Sequence, residues 1–325
     1  MRRILVTGGL GYIGSHLVKE LSEKDCYVRV LDDFSTGKDR GIFPNVEVIR
    51  GSILDSSVLR VALDSIDLVI HLAAKKSVDE SLRQPEKYFR ENTEGTWILL
   101  RAMNRAEVKS IIFSSTAAIY NPEVTGRISE NSPLLPTTPY GQSKLMCEKL
   151  IESFCTVYGF KSVILRYFNV IGAGDPRLGD TSGESLLPRV FSAILENRNP
   201  QIFGSDYNTA DGTCVRDFIH VSDIVESHLV CTDYLINNSG FNVFNVGTAI
   251  GYSVKELINQ VAEVLGVSFE IDLLPRRTGD VPISIAENKK LLEATGWKAV
   301  LTLSDMVRSG WLATNLQHNS ANQSG

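Results

Sequence analysis

The sequence predicts an α/β fold in which a doubly wound parallel sheet is followed by a smaller, mixed α/β region. Short runs of aliphatic and β-branched residues alternate with longer stretches of helical periodicity through the first half of the chain. These runs are apolar almost throughout, as expected of strands that are covered on both faces. A glycine-rich turn directly follows the first run and precedes a helical stretch. Such strand–helix alternation is typical of parallel sheets with helices on both faces.

The first half of the chain contains the strands of the predicted sheet. They are expected over residues 4–6, 27–31, 46–49, 67–72, 110–114 and 162–166. Helical periodicity fills the intervals, for example over residues 97–103 and 145–154.

The pattern changes after residue 171. Residues 172–185 are rich in Gly, Asp, Pro and Ser, which predicts a loop. The elements expected after this loop are a helix over 188–195, strands over 201–203 and 241–246, and a helix over 253–265. Part of this region is expected to complete the first sheet. The polar residues 315–325 are expected to form a frayed tail.

Length and composition exclude several classes of protein. With 325 residues, 43% hydrophobic and 22% charged, the chain is long enough for a sizeable core. The formal net charge of -5 offers no basic surface for nucleic acid. Apolar runs are too short for a transmembrane helix, and the first one ends at Gly8, which is too short for an export signal. Five scattered cysteines without a Cys-x-x-Cys pair predict reduced thiols, no metal site and a cytoplasmic protein.

The glycine-rich turn has the spacing Gly8-x-x-Gly11-x-x-Gly14. In such a turn Gly8 permits the sharp bend, Gly11 lets the backbone approach a pyrophosphate, and Gly14 lets the helix pack close to the sheet. The helix that opens there directs free N–H groups at phosphate. A glycine pattern alone is a weak signal, but an acid at the end of the second strand completes the context of a Rossmann-type dinucleotide site.

That acid is Asp32, whose carboxylate can accept hydrogen bonds from an adenosine ribose. Its charge would repel a 2′-phosphate, which favours NAD over NADP. Asp33 is better explained as a turn former at the end of the strand. Arg29 and Lys38 could in principle serve a 2′-phosphate, but single basic residues are usually solvated, and we expect NAD.

Tyr140 and Lys144 lie four residues apart on one face of a predicted helix. A free tyrosine has a pKa of about 10 and is a poor base at neutral pH. A nearby ammonium group and an oxidised nicotinamide would lower that pKa. A Tyr-x-x-x-Lys pair is common on helix surfaces, but this one follows both a nucleotide turn and the strand-end sequence Ser114-Ser115-Thr116.

These residues together resemble the extended short-chain dehydrogenase/reductase superfamily and, within it, the UDP-galactose 4-epimerase family. The resemblance runs from the start of the chain to about residue 310, and its most diagnostic stretch is residues 203–221. The other motifs that carry it are Gly8-x-x-Gly11-x-x-Gly14, Asp32, His71-Leu72-Ala73-Ala74-Lys75-Lys76-Ser77-Val78, Asn92-x-x-Gly95-Thr96, Ser114-Ser115-Thr116, Tyr140-x-x-x-Lys144 and Arg166-Tyr167-Phe168-Asn169.

The resemblance implies a UDP-hexose 4-epimerase that interconverts UDP-glucose and UDP-galactose. Tyr140 would take the proton from the 4-hydroxyl, Lys144 would tune it and hold the nicotinamide ribose, and Thr116 would hydrogen-bond the 4-oxygen. Hydride would pass from the sugar to NAD⁺, and the 4-keto sugar would turn over and take it back on its other face. Net redox is zero, so NAD should stay tightly bound.

The resemblance also implies contact residues for both ligands, with the arginines meeting the diphosphate as forked donors. Asn92 and Asn169 could equally satisfy backbone groups at strand ends. Residues expected at NAD are Gly8, Gly11, Tyr12, Ile13, Gly14, Asp32, Asp33, Ser52, Ile53, Leu72, Ala73, Ala74, Lys76, Asn92, Tyr140, Lys144 and Phe168. Residues expected at the UDP-sugar are Lys76, Thr116, Tyr140, Asn169, Ser185, Leu186, Phe203, Arg216, Arg277, Asp280 and Ser284.

The chain departs from the family pattern at three positions. Ser52 stands where an acid usually faces adenine, so weaker base discrimination is expected. Ser185 replaces an amide or imidazole at the diphosphate, so those contacts should depend more on Arg216 and Arg277. Ser284 is small where the family lines the far side of the sugar, so UDP-N-acetylhexosamines are expected as further substrates.

Three alternatives were weighed against this interpretation. A sugar-nucleotide 4,6-dehydratase usually has Asp-Glu after the threonine, whereas Ala117 and Ala118 follow Thr116 here. A 4-epimerase of UDP-glucuronate or of a UDP-pentose stays open, because no arginine can be assigned near C6 of the sugar. A catalytically silent NAD-binding scaffold would need neither Tyr140 nor Lys144.

The predicted organisation has two domains and two subunits. Residues 1–170 with roughly 212–247 should bind NAD, and residues 171–211 with 248–325 should bind the UDP-sugar. The resemblance implies a homodimer that packs through the helix carrying Tyr140. Apolar positions on that helix are Leu145, Leu150, Ile151 and Phe154, although such a stripe often belongs to the core.

Overall fold

A computed structural model of the chain describes residues 2–37, 43, 45–124, 126–183, 185–277 and 279–323. Lys38, considered above for a 2′-phosphate, lies outside these residues. The described strands, in chain order, are β1 (Arg2–Thr7), β2 (Cys26–Asp32), β3 (Glu47–Arg50), β4 (Leu68–His71), β5 (Ser110–Thr116), β6 (Arg127–Ile128), β7 (Lys161–Tyr167), β8 (Asn169–Ile171), β9 (Gln201–Phe203), β10 (Val215–Arg216), β11 (Phe218–His220), β12 (Gly240–Val246), β13 (Tyr252–Ser253), β14 (Asp272–Leu274) and β15 (Ile283–Ala286).

Helices occupy most of the intervals between these strands. A π-helical turn (Phe89–Glu94) separates α4 from α5, and 3₁₀ turns cover Ala117–Ile119 and Pro176–Leu178. The α-helices are α1 (Tyr12–Ser22), α2 (Ser56–Ala62), α3 (Val78–Arg83), α4 (Pro85–Tyr88), α5 (Gly95–Arg105), α6 (Pro139–Tyr158), α7 (Leu186–Leu195), α8 (Val221–Asn237), α9 (Val254–Leu265), α10 (Lys289–Thr295) and α11 (Leu303–Gln323).

The central sheet has the strand order β12-β7-β5-β4-β1-β2-β3, and all its pairs are parallel. One apolar core lies between this sheet and α1 with α8, and a second lies on the face covered by α2, α5 and α6. The predicted doubly wound α/β fold is therefore confirmed, including the return of residues 241–246 as edge strand β12. The strand order reverses at β1, which has β2 on one side and β4 on the other, and ligands bind at such switch points.

Local sequence explains where α6, the helix of Tyr140, begins and ends. Thr138 caps it by accepting a hydrogen bond from the Gly141 N–H to Oγ1 at 3.2 Å, and Pro139 occupies the first turn. Gly159 ends the helix with a φ of 68°, a conformation that costs glycine little. Because α6 starts beside the end of β5, its first two turns carry Tyr140 and Lys144 into the switch-point region.

The C-terminal region is built from short strands around its own apolar core. Its four-stranded sheet has the order β13-β10-β15-β6, and the pairs β11 with β8 and β14 with β9 lie beside it. The two-residue strand β6 pairs with β15, so part of residues 1–170 joins the sheet of the second region. The division into a domain of 1–170 with 212–247 and a domain of 171–211 with 248–325 stays a prediction.

The chain end differs from expectation. Helix α11 continues to Gln323, whereas a frayed tail was predicted from residue 315. Its first turns are anchored because Met306, Val307 and Ala313 are buried, and adding residues to a formed helix costs little free energy. In the described part of the chain, no helix combines the length and apolarity needed to cross a membrane.

Candidate active site

A cleft of about 1310 Å³ runs along the carboxyl ends of the central strands and continues between the two regions of the chain. It extends from the glycine turn, past the ends of β4 and β5, to β10 and β15. Every residue predicted to contact either ligand lines this cleft, except Asn92. The fold therefore brings together side chains that the sequence spreads over residues 8–284.

The glycine turn can be formed only by glycine at two of its positions. Gly8 has a φ of +71°, and a Cβ atom there would lie 2.7 Å from the Ala73 nitrogen. A Cβ atom on Gly14 would lie 2.2 Å from the Gly8 oxygen. No described side chain caps the start of α1 at Gly11, so its first N–H groups face the cleft. The turn thus forms a backbone cradle of the kind that holds a pyrophosphate.

The two acids at the end of β2 differ in role. Asp32 is buried and accepts backbone hydrogen bonds from Leu10 at 3.0 Å and Phe34 at 2.8 Å. Burial raises its pKa, partly offset by those two bonds. Asp33 accepts bonds from both the N–H and the hydroxyl of Ser35, as a turn former does. The bonds of Asp33 are those of the expected turn former, and the role of Asp32 at a ribose stays a prediction.

Arg29 is turned away from the cleft. Its Nε atom lies 2.7 Å from Glu47, and its Nη1 donates to three backbone carbonyls at and just after the end of α2. The guanidinium group is therefore engaged elsewhere and does not create a site for a 2′-phosphate.

The reactive cluster consists of Thr116, Tyr140 and Lys144. The Thr116 Oγ1 accepts a hydrogen bond from the Ala118 N–H at 3.1 Å, which leaves its proton free to be donated. The ring of Tyr140 is held edge-on by Tyr88, with centroids 6.3 Å apart. Lys144 is only 3% exposed and donates from Nζ to the Ser114 carbonyl at 2.6 Å.

The pKa values of this cluster differ from expectation. Burial raises the pKa of Tyr140, and the hydrogen bond from Thr116 lowers it by less. Burial also lowers the pKa of Lys144 to about 8. The ammonium group points at the Ser114 carbonyl, so it does not produce the expected lowering of the Tyr140 pKa. A lower value requires a positive charge closer to the phenol oxygen, either from Lys144 after it leaves the Ser114 carbonyl or from a bound ligand.

Asn92 makes structural hydrogen bonds, and its place in the cofactor shell stays a prediction. Its Oδ1 accepts the Lys75 N–H at 2.8 Å, and its Nδ2 donates to the Lys75 carbonyl and to the Ser143 hydroxyl, each at 3.0 Å. These bonds use both donors and one of the two acceptor positions of the amide. Asn92 therefore links the segment after β4 to α6. It does not line the cleft itself, but it holds the backbone of Lys75, which does.

Lys76 and Ser185 both contact Asp180, which was not predicted as a site residue. Asp180 lies 3.7 Å from the Lys76 ammonium and accepts a hydrogen bond from the Ser185 hydroxyl at 2.5 Å. Burial alone would raise the pKa of Asp180, but Lys76 and the serine hydrogen bonds lower it. The Ser185 hydroxyl is thus committed to Asp180. The surrounding residues 172–185 carry no periodicity that could have revealed this.

The far end of the cleft contains the predicted arginines. Arg216 donates to the Val281 carbonyl at 2.7 Å and lies 3.3 Å from Asp280. It pairs in register with Ser284, which places that serine on the same wall. Arg277 lies over the ring of Phe203, with its guanidinium carbon 3.6 Å from the ring centroid.

Two further cleft residues were missed in the sequence. Tyr167 lies inside a quoted motif, and its hydroxyl is 2.6 Å from His228 Nε2. Since His228 Nδ1 is bonded to the Ile224 carbonyl, its Nε2 is the acceptor for Tyr167. Arg189 lies in the first turn of α7 and lines the cleft. In the sequence, the only indication of such a role is that this residue is charged within an otherwise apolar helical stretch.

Comparison with known proteins agrees with this geometry. Residues 4–247 match the model of the NAD dependent epimerase/dehydratase family. A UDP-glucose 4-epimerase of Halalkalibacterium halodurans is 42% identical over 316 residues, which cover 95% of this chain and 94% of the relative. The chain therefore belongs to the NAD dependent epimerase/dehydratase family.

Solved structures show the same likeness. A UDP-glucose 4-epimerase from Bifidobacterium longum, in complex with NAD⁺ and UDP, is 35% identical, has a TM-score of 0.91 and covers 98% of this chain and 99% of its own. A UDP-Glc/GlcNAc 4-epimerase from Campylobacter jejuni is 37% identical, has a TM-score of 0.85 and covers 97% of this chain and 100% of its own. The predictions of an NAD-dependent epimerase and of its resemblance to UDP-glucose 4-epimerases are confirmed.

Proposed function

We propose that this chain interconverts UDP-glucose and UDP-galactose by inverting the configuration at C4 of the sugar. The observation that carries the proposal is the position of Tyr140. Its phenol is hydrogen-bonded to Thr116, lies one helical turn from Lys144, and faces the same cleft as the glycine turn. A base, a donor and a cradle for a dinucleotide are thus combined in one site.

The described residues fit NAD. The glycine turn packs closely against its own backbone and presents the uncapped N–H groups of α1, which suit a pyrophosphate. Asp32 lines the cleft at the end of β2, where a ribose is expected. The small residues Ala73 and Ala74 line the strand end beside the turn. When bound between these residues, NAD would supply the hydride-accepting and hydride-returning chemistry at C4 of the sugar.

The protein groups act on the proton and on the sugar oxygen. Tyr140 takes the 4-hydroxyl proton in one direction and gives it back in the other. Thr116 donates its free hydroxyl proton to the oxygen at C4. Lys144, buried behind them, stabilises negative charge on the phenol oxygen once a ligand draws its ammonium from the Ser114 carbonyl.

The rival reactions are less well supported by the same cleft. Ala117 and Ala118 line it next to Thr116, so this position lacks the acid and base that a 4,6-dehydratase uses. A silent scaffold would not need a buried Lys144 or an oriented Tyr140. A UDP-glucuronate or UDP-pentose 4-epimerase differs only in the group at C6, and a panel of UDP-sugars would distinguish it.

We propose that UDP-N-acetylglucosamine is a further substrate. Ser284 lines the cleft beside Arg216 and presents only a hydroxymethyl group there. The Campylobacter jejuni relative is named as an epimerase of both UDP-Glc and UDP-GlcNAc.

We propose a homodimer, with a contact different from the predicted stripe. Ile151 is buried, and Leu145, Leu150 and Phe154 pack against the chain's own cores. The exposed apolar residues on α6 are Met146 (48%), Val157 (68%) and Tyr158 (48%), and Trp97 (42%) on α5 lies nearby. Sedimentation velocity that shows only a monomer would refute the dimer.

We also propose a cytoplasmic location, supported by five free thiols, which fit a reducing compartment. A cell fractionation that places the protein outside the cytoplasm would refute this location.

The activity is tested with Tyr140→Phe, assayed by NMR with UDP-galactose as substrate. Loss of the proton-transferring group should lower kcat by about 10²–10⁴-fold while NAD stays bound. Tyr158→Phe makes the same change at the exposed far end of α6 and should leave kcat within about twofold. Full activity in Tyr140→Phe would contradict the proposal.

A further inference from the structure

Three arginines line the cleft, one more than the sequence interpretation used for the diphosphate. They are Arg189, Arg216 and Arg277. Arg216 is held by two backbone carbonyls and by Asp280, so much of its donor capacity is already used. From the sequence, the diphosphate contacts were expected to depend mainly on Arg216 and Arg277.

The other two guanidinium groups have no carboxylate partner among the residues that the structure describes. Arg277 is partly buried and rests on Phe203. Arg189 is exposed on α7, and its Nε donates to the Gly183 carbonyl at 3.1 Å. That bond leaves the paired Nη atoms at the tip of Arg189 available to a ligand in the cleft.

Arg189 and Arg277 are close enough to repel each other. Burial lowers the pKa of Arg277, and the charge of Arg189 is the next largest cause of that lowering. Two like charges that share a cleft wall raise the free energy of the empty site. A dianion bound between them removes that cost.

We propose that Arg189 is an anchor for the diphosphate of the UDP-sugar and replaces the contact that Ser185 cannot supply. Ser185 lies four residues earlier, and its hydroxyl is committed to Asp180. Arg189 follows on the same helical face, because residues four apart are neighbours on a helix. The proposal rests on the proposed function, since it requires a UDP-sugar in this cleft.

A carboxylate on the sugar is the other anion that a guanidinium in this cleft could bind. The diphosphate is favoured because Arg189 lies in the first turn of α7 and acts electrostatically on Arg277, so two guanidinium groups are available to one dianion. The two ligand groups can be separated experimentally, because UDP carries the diphosphate without a sugar.

The test is calorimetric binding of UDP, uridine and UDP-glucuronate to the NAD-loaded enzyme, with Arg189→Gln compared with wild type. A lost charged hydrogen bond should weaken UDP binding by about 10–100-fold. Uridine, which has no phosphate, should bind within about twofold of wild type. Arg189→Lys, which keeps the charge but not the fork, should recover part of the loss.

Arg198→Gln is the matched control, since Arg198 follows α7 and is ion-paired at the surface with Glu196. It should leave UDP binding unchanged. The proposal is overturned if Arg189→Gln binds UDP as wild type does, if it weakens uridine equally, or if only UDP-glucuronate is affected. A wild-type enzyme that binds none of the three ligands would instead remove the proposed function.

Discussion

A buried ion pair joins β7 to α6, the helix that carries Tyr140 and Lys144. Its removal tests how much this pair contributes to the stability of the protein. Arg166 on β7 donates to both carboxylate oxygens of Glu148 on α6, at 3.1 and 2.7 Å, and both side chains are almost fully buried. Glu148 lies one turn after Lys144 and also accepts a hydrogen bond from Ser115. Replacing Glu148 with Met leaves the Arg166 charge buried without its partner.

The expected loss can be worked out from this geometry. Removing one member of a buried, bidentate pair costs about 3–5 kcal/mol. With an unfolding entropy of about 2.1 cal/mol/K per residue, the chain of 325 residues has about 0.7 kcal/mol/K in total. Glu148→Met should therefore lower the Tm by about 4–7 °C. Arg166→Met should lower the free energy of unfolding by a similar amount, because it leaves the Glu148 carboxylate buried without its partner.

The assay is urea unfolding of the NAD-loaded protein, followed by circular dichroism, for both single variants and the double variant. The double variant removes both charges and should cost clearly less than the sum of the single variants. Lys149→Met is the control, because Lys149 and Glu152 form an exposed pair on the same helix worth less than about 1 kcal/mol. A loss below about 1 kcal/mol for Glu148→Met, or strict additivity, would refute the reasoning.

Two further predictions concern pH and substrate range. Burial lowers the pKa of His71 to about 3 and those of His220 and His228 to about 4. Their unfolded pKa is about 6.5, so between pH 6.5 and 4 the unfolded chain binds more protons and stability falls on acidification, by up to about 4 kcal/mol per pH unit. Urea midpoints at pH 7, 6 and 5 should show this fall, with a shallower slope in His228→Gln; equal slopes would contradict it. Ser284→Tyr should lower kcat/KM for UDP-N-acetylglucosamine by about 10–200-fold and leave kcat/KM for UDP-glucose nearly unchanged. Both values can be measured by NMR. An equal loss of activity with the two substrates would count against a role of Ser284 in selectivity at C2.

The sequence alone predicts those features whose signal is local. Apolar runs of strand length between helical stretches are enough to predict the doubly wound sheet, because parallel strands covered on both faces need continuous apolar residues. The turn from Gly8 to Gly14 and the pair Tyr140 and Lys144 are likewise encoded by spacing within one turn or one helix. Each of these features is found in the expected place in the fold.

Only the tertiary structure decides which polar groups remain free to act. Arg216 and Asp280 are 64 residues apart, and Asn92 and Ser143 are 51 apart, so no local pattern shows that these groups are already bonded. The same holds for Ser185, whose bond to Asp180 forms inside a loop without periodicity. Hydrogen-bonding capacity is used up by whichever partner the fold brings within about 3 Å. Finding that Arg189 has no carboxylate partner among the described residues, and that burial raises the pKa of Tyr140, therefore required the folded chain.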